Sequence, residues 1–347
     1  MKKALIAMSG GVDSSVCAYL AIKAGYECIG ATMRLCEKDF ASSDADDAAK
    51  ICKMLSIEHR IFDCSQKFNE CVIDPFIKSY ECGETPNPCV LCNKHLKFGA
   101  LFCEAQKLGC DTIVTGHYAR IITENGEAVL KKAIDVSKDQ SYVLYVLERD
   151  YLPHIYLPLG DYTKDQVRQI ALREGFVTAH KSDSQDICFV PDGDYAHFIE
   201  QNLKKESKKG NFVDEGGNVL GEHRGIIHYT VGQRKGLGLS LKEPMYVKEK
   251  NVDTGDVVLC TNDKLFSSSL VAGEFNWLID VPDGEIHARA KIRYNQTEQD
   301  ALLYPLSGGK VRVVFDKPQR AIAKGQAVVA YAGDRVIGGG TILCPEN

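Results

Sequence analysis

The sequence predicts an α/β protein with a doubly wound parallel sheet, followed by a small β-rich central domain and a C-terminal β-barrel-like domain. In the first half of the 347 residues, short apolar runs alternate with longer helical patterns, which is typical of a parallel sheet covered by helices. At Lys204–Gly210, charged sequence replaces the helical periodicity. Beyond it, short alternating segments rich in Gly and β-branched residues predict small β domains.

The apolar runs of the first half predict its strands, and the amphipathic stretches between them predict its helices. The predicted strands are Lys3–Met8, Glu27–Met33, His59–Asp63 and Asp111–Thr115. The predicted helices are Val16–Ala24, Asp44–Leu55 with Asp44 as its N-cap, Asn93–Leu108, and a helix opened by the capping box of Thr163 and Gln166 and ended by Gly175.

The second half is predicted to consist of β domains, the last of them a barrel. Its predicted strands are Val247–Lys250, Val257–Cys260, Ala288–Tyr294, Val311–Phe315 and Ala327–Tyr331. We expect domain boundaries after residues 203 and 270. The predicted domains are therefore 1–203, 204–270 and 271–347.

Composition argues against several classes of protein. A hydrophobic content of 44% with 26% charged residues is ordinary for a globular chain, and no apolar run approaches the roughly 20 residues that cross a bilayer. The apolar stretch Ala4–Met8 is too short for a signal peptide. Fourteen cysteines in so long a chain favour reduced core residues, such as Cys17, Cys28, Cys52 and Cys103, over a disulfide framework. We expect a soluble, cytoplasmic protein with no membrane partner.

A glycine-rich loop, Ser9–Ser15, joins the first strand to the first helix. Its two adjacent glycines let the backbone approach an anion, and the N–H groups of the helix N-terminus bind phosphate. Asp13 is a candidate Mg²⁺ ligand. The alternative is a glycine turn capped by Ser and Asp. The loop lacks the Walker lysine and resembles the PP-loop of ATP pyrophosphatases, which form adenylates and release pyrophosphate.

That resemblance implies ATP as a cofactor and an ATP site at the carboxyl edge of the sheet. The predicted ATP-binding residues are Ala7, Met8, Ser9, Gly10, Gly11, Val12, Asp13, Ser14, Met33 and Gly116. For Met33 and Gly116, the alternative roles are a core residue and a turn glycine.

Two cysteine segments, Thr85–Lys94 and Lys181–Val190, are the most distinctive part of the sequence. With Lys138–Tyr142, Tyr229–Leu237 and Ala288–Tyr294, they resemble segments of bacterial tRNA-specific 2-thiouridylases, and the resemblance spans nearly the whole chain. Within these segments, Cys92 is predicted at the N-terminus of the helix Asn93–Leu108, where the helix dipole stabilises a thiolate. Cys188 is predicted on a loop before the turn Pro191–Asp194. Outside the motifs, each cysteine would be read as structural.

The resemblance implies a reaction and a role for each cysteine. The wobble uridine of tRNA is adenylated, and Cys188 carries a persulfide whose sulfur replaces the uridine oxygen. The persulfide comes from a cysteine desulfurase or a relay protein. Cys92 either attacks the persulfide and liberates sulfide or resolves it through a disulfide. The uridine is expected to enter a turn formed by Asn87, Pro88 and Cys89.

Cys89 departs from the family pattern, because well-studied members have Asp at this position. The proposed acid–base role of that carboxylate is thereby in doubt. The change also gives three thiols, Cys89, Cys92 and Cys188, which are sufficient to hold a labile 4Fe–4S cluster. The persulfide route and the cluster route remain alternative hypotheses.

Contacts with tRNA are predicted on a locally basic surface. Lys204–Lys250 holds ten Lys/Arg against six Asp/Glu in a chain of net charge −5, although a solvated linker explains this charge as well. The loop Gly232–Gly238, with Gln233, Arg234 and Lys235, favours the functional interpretation. By resemblance, the tRNA-binding residues are His117, Lys138, Asp139, Gln140, Arg293, Tyr294 and Gln326.

Two other classes of function compete with this one. A synthetase that adenylates a small molecule explains the PP-loop but gives no role to Cys92, Cys188 or the β domains. A non-catalytic thiol relay or tRNA-binding module gives no role to the PP-loop.

Overall fold

The computed structural model describes residues 2–35, 42–181, 187–190, 192–204 and 207–346. Residues 182–186 of the second cysteine segment lie outside the described residues, as do Pro191 of the predicted turn and Lys205 and Glu206 of the basic stretch.

Strands and helices follow the predicted order. The strands are β1 Lys3–Ala7, β2 Glu27–Arg34, β3 Glu58–Asp63, β4 Thr112–Val114, β5 Ala119–Glu124, β6 Glu127–Lys132, β7 Ile155–Tyr156, β8 Gly210–Val213, β9 Val219–His223, β10 Tyr246–Lys250, β11 Val257–Cys260, β12 Phe266–Trp277, β13 Ile286–Lys291, β14 Gln299–Leu306, β15 Lys310–Arg320, β16 Ala327–Ala332 and β17 Arg335–Glu346. The α-helices are α1 Val12–Lys23, α2 Ser42–Met54, α3 Ser65–Phe68, α4 Asp74–Glu81, α5 Pro88–Cys92, α6 Leu101–Lys107, α7 Lys164–Arg173 and α8 Tyr195–Leu203. Two π-helical segments, which join α3 to α4 and α5 to α6, are Asn69–Ile73 and Asn93–Ala100.

The first sheet contains five parallel strands in the order β3-β2-β1-β4-β7. Helices cover both faces, so β1 is apolar from Ala4 to Ala7. Ala4 and Ile6 pack in the cluster with α1, α2 and α7, while Leu5 packs in the cluster with α6 on the opposite face. The four predicted strands of this sheet are confirmed. The two-residue β7 was missed because it is too short to show a period.

The predicted capping box at the start of α7 is confirmed. Thr163 Oγ1 accepts from the Gln166 N–H at 3.3 Å, and Gln166 Oε1 accepts from the Thr163 N–H at 2.8 Å. The predicted N-cap of α2 is wrong, because the helix begins at Ser42 and Asp44 lies within its first turn. The expectation of a buried Cys103 is also wrong, since its thiol is exposed on α6.

The helix around the first cysteine segment begins earlier than predicted. Pro88 is its first residue, and the N-cap Asn87 accepts the Cys89 N–H through Oδ1 at 3.2 Å. Proline at this position is pre-organised for a helix, and asparagine is a favoured cap. Cys92 therefore lies one turn inside the helix, not at its N-terminus, and Cys89 occupies the first turn.

The second half forms two β structures, as predicted. One is a four-stranded sheet in the order β10-β11-β8-β9. The other is a closed six-stranded barrel in the order β12-β15-β14-β13-β16-β17, which the pairing of β12 with β17 closes. Strand β12 runs across residues 270 and 271, so the predicted boundary falls inside a barrel strand.

One hairpin of the first half joins the barrel. Strands β5 and β6 pair with each other, and Lys131 of β6 pairs with Arg335 of β17. This hairpin thus extends the barrel sheet beyond β17 with residues that are distant from it in sequence. Among the described residues, no helix is both long and apolar enough to span a bilayer.

Candidate active site

The PP-loop lies at the carboxyl edge of the parallel sheet, between β1 and α1. Gly10 has a φ of +72°, and a Cβ there would collide with the backbone of Asp44. Gly11 is the N-cap of α1 and has no side chain to cover the helix N-terminus. The Ser14 hydroxyl donates to Gly11 O at 3.1 Å and accepts from the Ser9 N–H at 3.2 Å. The loop therefore forms a backbone cradle whose shape suits phosphate.

Asp13 is held by two partners that the sequence did not predict. Lys164 Nζ donates to both carboxylate oxygens, each at 2.8 Å, and the Tyr118 hydroxyl donates to Oδ1 at 2.8 Å. Lys164 is almost fully buried. The capping box located this lysine at the start of α7, but only the fold brings it to the PP-loop. A cation therefore lies beside the predicted phosphate site.

A second lysine connects the PP-loop with the second cysteine segment. Lys181 Nζ donates to Gly10 O at 3.0 Å and forms ion pairs with Asp44 at 2.8 Å and Asp47 at 2.7 Å. Hydrogen bonds from Lys181 and Lys50 lower the pKa of Asp47. Lys181 is the last described residue before 182–186, so the chain leaves the PP-loop toward Cys188 from a fixed point.

Met33 and Gly116 lie at the same edge of the sheet. Met33 is half-buried near the end of β2. At Gly116, a Cβ would lie 3.2 Å from the Asp13 Cβ and 3.4 Å from the Ser14 N. The chain after β4 thus packs directly on the PP-loop, and a Cβ at this position would be crowded. Their roles in ATP binding remain predictions.

The two predicted catalytic cysteines differ in exposure but meet at one hydrophobic cluster. Cys92 is buried, and that burial raises its pKa, while the Lys97 charge opposes the rise. Cys188 is exposed in the turn Ile187–Val190, closed by the Val190 N–H donating to Ile187 O at 2.8 Å. Phe189 and Val190 belong to the same cluster as Cys92. The shared cluster brings the Cys188 turn to the Cys92 helix.

The three cysteines do not fit a resident metal cluster in this structure. Cys92 is buried, whereas Cys89 and Cys188 are exposed. All three cysteines lie within the described part of the chain. In that part, no three or more His, Cys, Asp or Glu side chains come together in a group that could hold a metal ion. Within the same residues, no cysteine forms a disulfide.

His117, predicted to contact tRNA, is buried behind the thiol site. Its Nδ1 lies 2.7 Å from Thr115 Oγ1 and its Nε2 lies 3.3 Å from Lys97 Nζ. Burial, and then the charge of Lys97, holds the pKa of His117 well below its usual value. The imidazole is therefore neutral. Lys97 was not predicted from the sequence, although it lies just beyond the first cysteine segment.

The Lys138–Tyr142 segment is folded inward. Asp139 is buried and accepts from the Ala133 and Ser141 N–H groups at 3.1 and 3.2 Å. Gln140 Oε1 accepts the Tyr118 N–H at 2.9 Å, and Lys138 is half-buried. The Asp139 and Gln140 acceptors thus organise the loop beside the PP-loop, and their contact with tRNA remains a prediction.

Barrel residues approach the first cysteine segment. Gln326 Nε2 donates to Thr85 O at 2.7 Å, and Lys324 O accepts the Thr85 N–H at 2.9 Å. Burial, followed by the charges of Asp139 and Cys89, raises the pKa of Tyr294 to about 12. The phenol of Tyr294 is therefore close to Cys89 and protonated at neutral pH. Gln326 thus contacts the chain just before the predicted uridine turn, and the charge of Cys89 within that turn acts on the Tyr294 phenol.

The segment before Pro88 is a junction of all three regions. Lys250, from β10, donates to Glu84 O at 3.2 Å and to Tyr229 O at 3.0 Å. Lys324, from the barrel, forms an ion pair with Glu84 at 3.3 Å. Burial lowers the pKa of Lys250 to about 8. The central sheet and the barrel thus both support the loop that leads into the Cys92 helix.

The basic residues predicted to meet tRNA form two surfaces. Lys208, Lys209, Arg234 and Lys235 are exposed, whereas the Gln233 side chain holds its own loop by accepting the Thr230 N–H at 2.9 Å. On the barrel, Arg293 is half-buried and donates to Ala321 O at 2.6 Å.

Arg320, which the sequence did not single out, lies beside Arg293. Burial, followed by the Arg320 charge, lowers the Arg293 pKa. Both arginines line a groove of the barrel together with Lys317 and the amides of Gln296 and Gln299. This groove therefore concentrates positive charge.

Comparisons with known proteins cover the whole chain. Family models described as tRNA methyl transferase HUP domain, tRNA methyl transferase PRC-barrel domain and Aminomethyltransferase beta-barrel domain match residues 2–192, 196–261 and 267–342. The tRNA-specific 2-thiouridylase MnmA of Clostridium botulinum is 46% identical over 352 residues, which cover 98% of each chain. The enzyme of the same name from Acetivibrio thermocellus is 47% identical over 355 residues, covering 98% of this chain and 99% of that protein.

Likeness to solved structures is weaker. A U34-tRNA thiolase of Methanococcus maripaludis, solved with its 4Fe–4S cluster, is 20% identical with a TM-score of 0.37 and covers 58% of this chain and 66% of that chain. That likeness is too low to bear on the cysteines.

Proposed function

The chain belongs to the family of tRNA-specific 2-thiouridylases, and from this premise we propose how its own residues carry out the reaction. It is a tRNA-uridine 2-sulfurtransferase, which uses ATP to replace the 2-oxygen of a wobble uridine with sulfur. The observation that carries the residue assignment is the single hydrophobic cluster shared by Cys92 and the Cys188 turn. We assign the adenylation and sulfur-transfer steps to residues 1–203, and tRNA contacts to the central sheet and the barrel.

The PP-loop binds the phosphates during activation. The uridine 2-oxygen attacks the α-phosphorus of ATP, the new P–O bond forms, and pyrophosphate leaves with the electron pair of the broken bond. The N–H groups at the start of α1 and the Lys164 ammonium stabilise the charge that develops there. Asp13 keeps lone pairs beyond those that accept from Lys164 and Tyr118. It therefore fits a Mg²⁺ ion bound chiefly through the phosphates, which would neutralise the leaving group.

The second step transfers sulfur and releases AMP. Cys188 carries a sulfane sulfur, received from a cysteine desulfurase or a relay protein. The Cys92 thiolate attacks Cys188 Sγ, a Cys92–Cys188 disulfide forms, and the bond from Cys188 Sγ to the sulfane sulfur breaks. On this route the sulfane sulfur keeps that electron pair, leaves as hydrosulfide and bonds to the activated carbon. On the alternative route the terminal persulfide sulfur bonds to the activated carbon through a lone pair while it is still attached to Cys188, and the Cys92 thiolate then breaks its bond to Cys188. AMP leaves with the 2-oxygen, and a dithiol reductant then restores both thiols.

Substrate tRNA is held around this centre. Arg293 and Arg320 supply a phosphate-binding groove, and Arg234 and Lys235 supply a second contact on the central sheet. Tyr294 is protonated and close to Cys89. Its ring can stack on the extruded uridine, and its hydroxyl can donate a hydrogen bond to it. Cys89 stands where well-studied family members have Asp, so position 89 itself supplies no carboxylate for the proposed acid–base role. We place the enzyme in the cytoplasm, where cysteines such as those described here, which form no disulfide, stay reduced.

Pyrophosphate release and 2-thiouridine formation, measured with and without tRNA, test the assignment. We expect tRNA-dependent release and thiolation by iron-free enzyme supplied with a persulfide. Release that ignores tRNA would favour a synthetase acting on a small molecule, and an absence of release would favour a thiol relay.

Cys89→Asp and Cys89→Ser separate the persulfide route from the cluster route. On the persulfide route, Cys89→Asp restores the usual family arrangement and keeps substantial activity. Activity that follows iron content across the wild type and both variants, prepared without oxygen, would instead support a labile 4Fe–4S cluster.

A further inference from the structure

A lysine that the steps above do not use lies beside Cys92. Cys92 immediately precedes the π-helical segment Asn93–Ala100, and Lys97 follows it by five residues. A π-helix pairs residues five apart across one turn, and such wide turns are frequent at functional sites. The Lys97 ammonium is close enough to Cys92 for its charge to act on the thiol.

His117 fixes this ammonium from the other side. An ammonium group can only donate, so His117 Nε2 is the acceptor of the 3.3 Å contact with Lys97 Nζ. The ring proton is therefore on Nδ1, which donates to Thr115 Oγ1 at 2.7 Å. The ring also packs 5.8 Å from that of Phe98. Thr115 and His117 follow β4 directly, so the carboxyl edge of the sheet sets the position of Lys97.

Lys97 has no carboxylate partner in the part of the chain that the structure describes. Its side chain is half-buried, and a partly desolvated charge without a counter-charge is costly. The other lysines near the site differ, because Lys164 is paired with Asp13 and Lys181 with Asp44 and Asp47. Lys97 is thus available to an anion that forms during the reaction.

We propose that the Lys97 ammonium stabilises the negative charge carried by sulfur during the transfer step at Cys92, and that His117 is the positioning residue that holds Lys97 there. This inference rests on the proposed role of Cys92 and gives His117 a role other than tRNA contact. Lys97 keeps its proton throughout. Its positive charge stabilises two anionic sulfurs in turn. The first is the Cys92 thiolate, and the second is the sulfane sulfur after it has taken the electron pair of its broken bond to Cys188. Adenylation at the PP-loop does not use Lys97.

The test separates the two half-reactions in the full-length enzyme with tRNA and ATP. Enzyme loaded with persulfide is followed for pyrophosphate release and for 2-thiouridine in a single turnover. We expect Lys97→Met to slow sulfur transfer about a hundredfold, as for loss of one preorganised donor, and to leave pyrophosphate release unchanged. Lys97→Arg keeps the charge and restores most of the rate. An equal fall in both steps, no fall in either, or no rescue by arginine would overturn the proposal.

Two further variants test specificity and positioning. Lys94→Met is the matched control, since Lys94 is an exposed lysine in the same π-helical segment, and the ratio of the two rates should not change. His117→Ala should slow sulfur transfer less than Lys97→Met does. The double variant should be no slower than Lys97→Met alone, because both changes act through one ammonium. Additive losses would remove the positioning role of His117.

Cys92→Ser distinguishes this inference from the assignment beneath it. If Cys92→Ser retains sulfur transfer, the proposed role of Cys92 is wrong. If Cys92→Ser loses transfer while Lys97→Met keeps it, the role of Cys92 stands and only the role of Lys97 is overturned.

Discussion

The two cysteines assigned to sulfur transfer are held in opposite ways. Cys92 is buried at the end of α5, where the continuous helix fixes it on both sides. Cys188 is exposed in a four-residue turn whose flanking residues Ile187, Phe189 and Val190 pack on the hydrophobic cluster. A thiol that receives sulfur from another protein has to be reached from outside. A thiol that only resolves a persulfide is better kept inside, where other thiols do not attack it.

Removing each thiol should stop the reaction at a different point, and this is the largest effect. We expect Cys92→Ser and Cys188→Ser each to lower thiolation by about a thousandfold or more, as for loss of a nucleophile. Only Cys92→Ser should still accept sulfur, because its Cys188 remains exposed. Mass spectrometry after incubation with a persulfide donor measures the added sulfur. If the persulfide forms on Cys92 instead of Cys188, the buried thiol accepts the sulfur and the two assigned roles are exchanged.

Phe189 is the link between the two regions. Its ring lies 5.6 Å from that of Phe68 and 5.3 Å from that of Phe76, in the cluster that contains Cys92. Phe189→Ala should cost about 3 kcal/mol of stability and slow oxidation to the Cys92–Cys188 disulfide. Denaturant unfolding and the rate of disulfide formation measure the two effects. Phe189→Leu, which refills most of the space, is the control. If neither substitution changes the rate of disulfide formation, Phe189 does not connect the two cysteine regions.

Exposure should be visible as reactivity. Cys188 should be alkylated by iodoacetamide about tenfold or more faster than Cys92 in the folded protein, since access and thiolate character set the rate. Burial raises the pKa of Cys92, which adds to the difference at neutral pH. Peptide mass spectrometry gives the rate at each cysteine, and unfolded protein provides the reference in which the two rates should converge.

The barrel contact supports only the Cys92 region. Gln326→Ala removes the donor to Thr85 O and should cost about 1 kcal/mol, with a fall in thiolation but no change in persulfide loading at Cys188. Gln106→Ala, at an exposed glutamine on α6, is a matched change of the same residue type. If Gln326→Ala lowers persulfide loading at Cys188 as much as it lowers thiolation, the barrel contact does not act on the Cys92 region alone.

Lys250 predicts a small dependence of stability on pH. Its pKa falls from 10.5 to about 8 in the folded chain because of burial, so between these values the unfolded chain binds more protons. Its contribution to stability therefore rises with pH from about 8 upward. The difference in unfolding free energy between wild type and Lys250→Met, measured at pH 7 and 9.5, should shift in favour of wild type. An unchanged difference would contradict the burial of Lys250.

Local sequence predicted the parts of the site that local structure determines. The PP-loop follows a strand and opens a helix, so Ser9–Ser15 was recognisable without the fold. Cys188 was placed on a loop because polar sequence surrounds it. The sequence does not predict the start of α5, because Asn and Pro are typical of turns. The same two residues are also a strong N-cap and a favoured first helical residue.

Long-range partners could not be predicted in this way. Lys164 reaches Asp13 from α7, which packs beside α1 on the same face of the sheet. Lys250 and Lys324 reach Glu84 from later domains. Lys97 acquires its surroundings from a π-helical turn and from His117, and no periodicity in the sequence indicates either. These contacts depend on how α7, β10 and the barrel pack, which the residue pattern of one segment does not contain.

The contacts of Glu84 and Thr85 with Lys250, Lys324 and Gln326 also set an order of events during protein synthesis. Translation proceeds from the N-terminus, so the PP-loop and both catalytic thiols leave the ribosome long before the barrel. Until Lys324 and Gln326 have been made and folded, Thr85 lacks its backbone and side-chain partners from the barrel. A nascent or prematurely terminated chain can therefore shape its nucleotide loop, but the segment leading to Cys92 is supported only in the finished polypeptide. A chain that ends before the barrel would therefore lack the supported Cys92 segment on which the sulfur-transfer step depends.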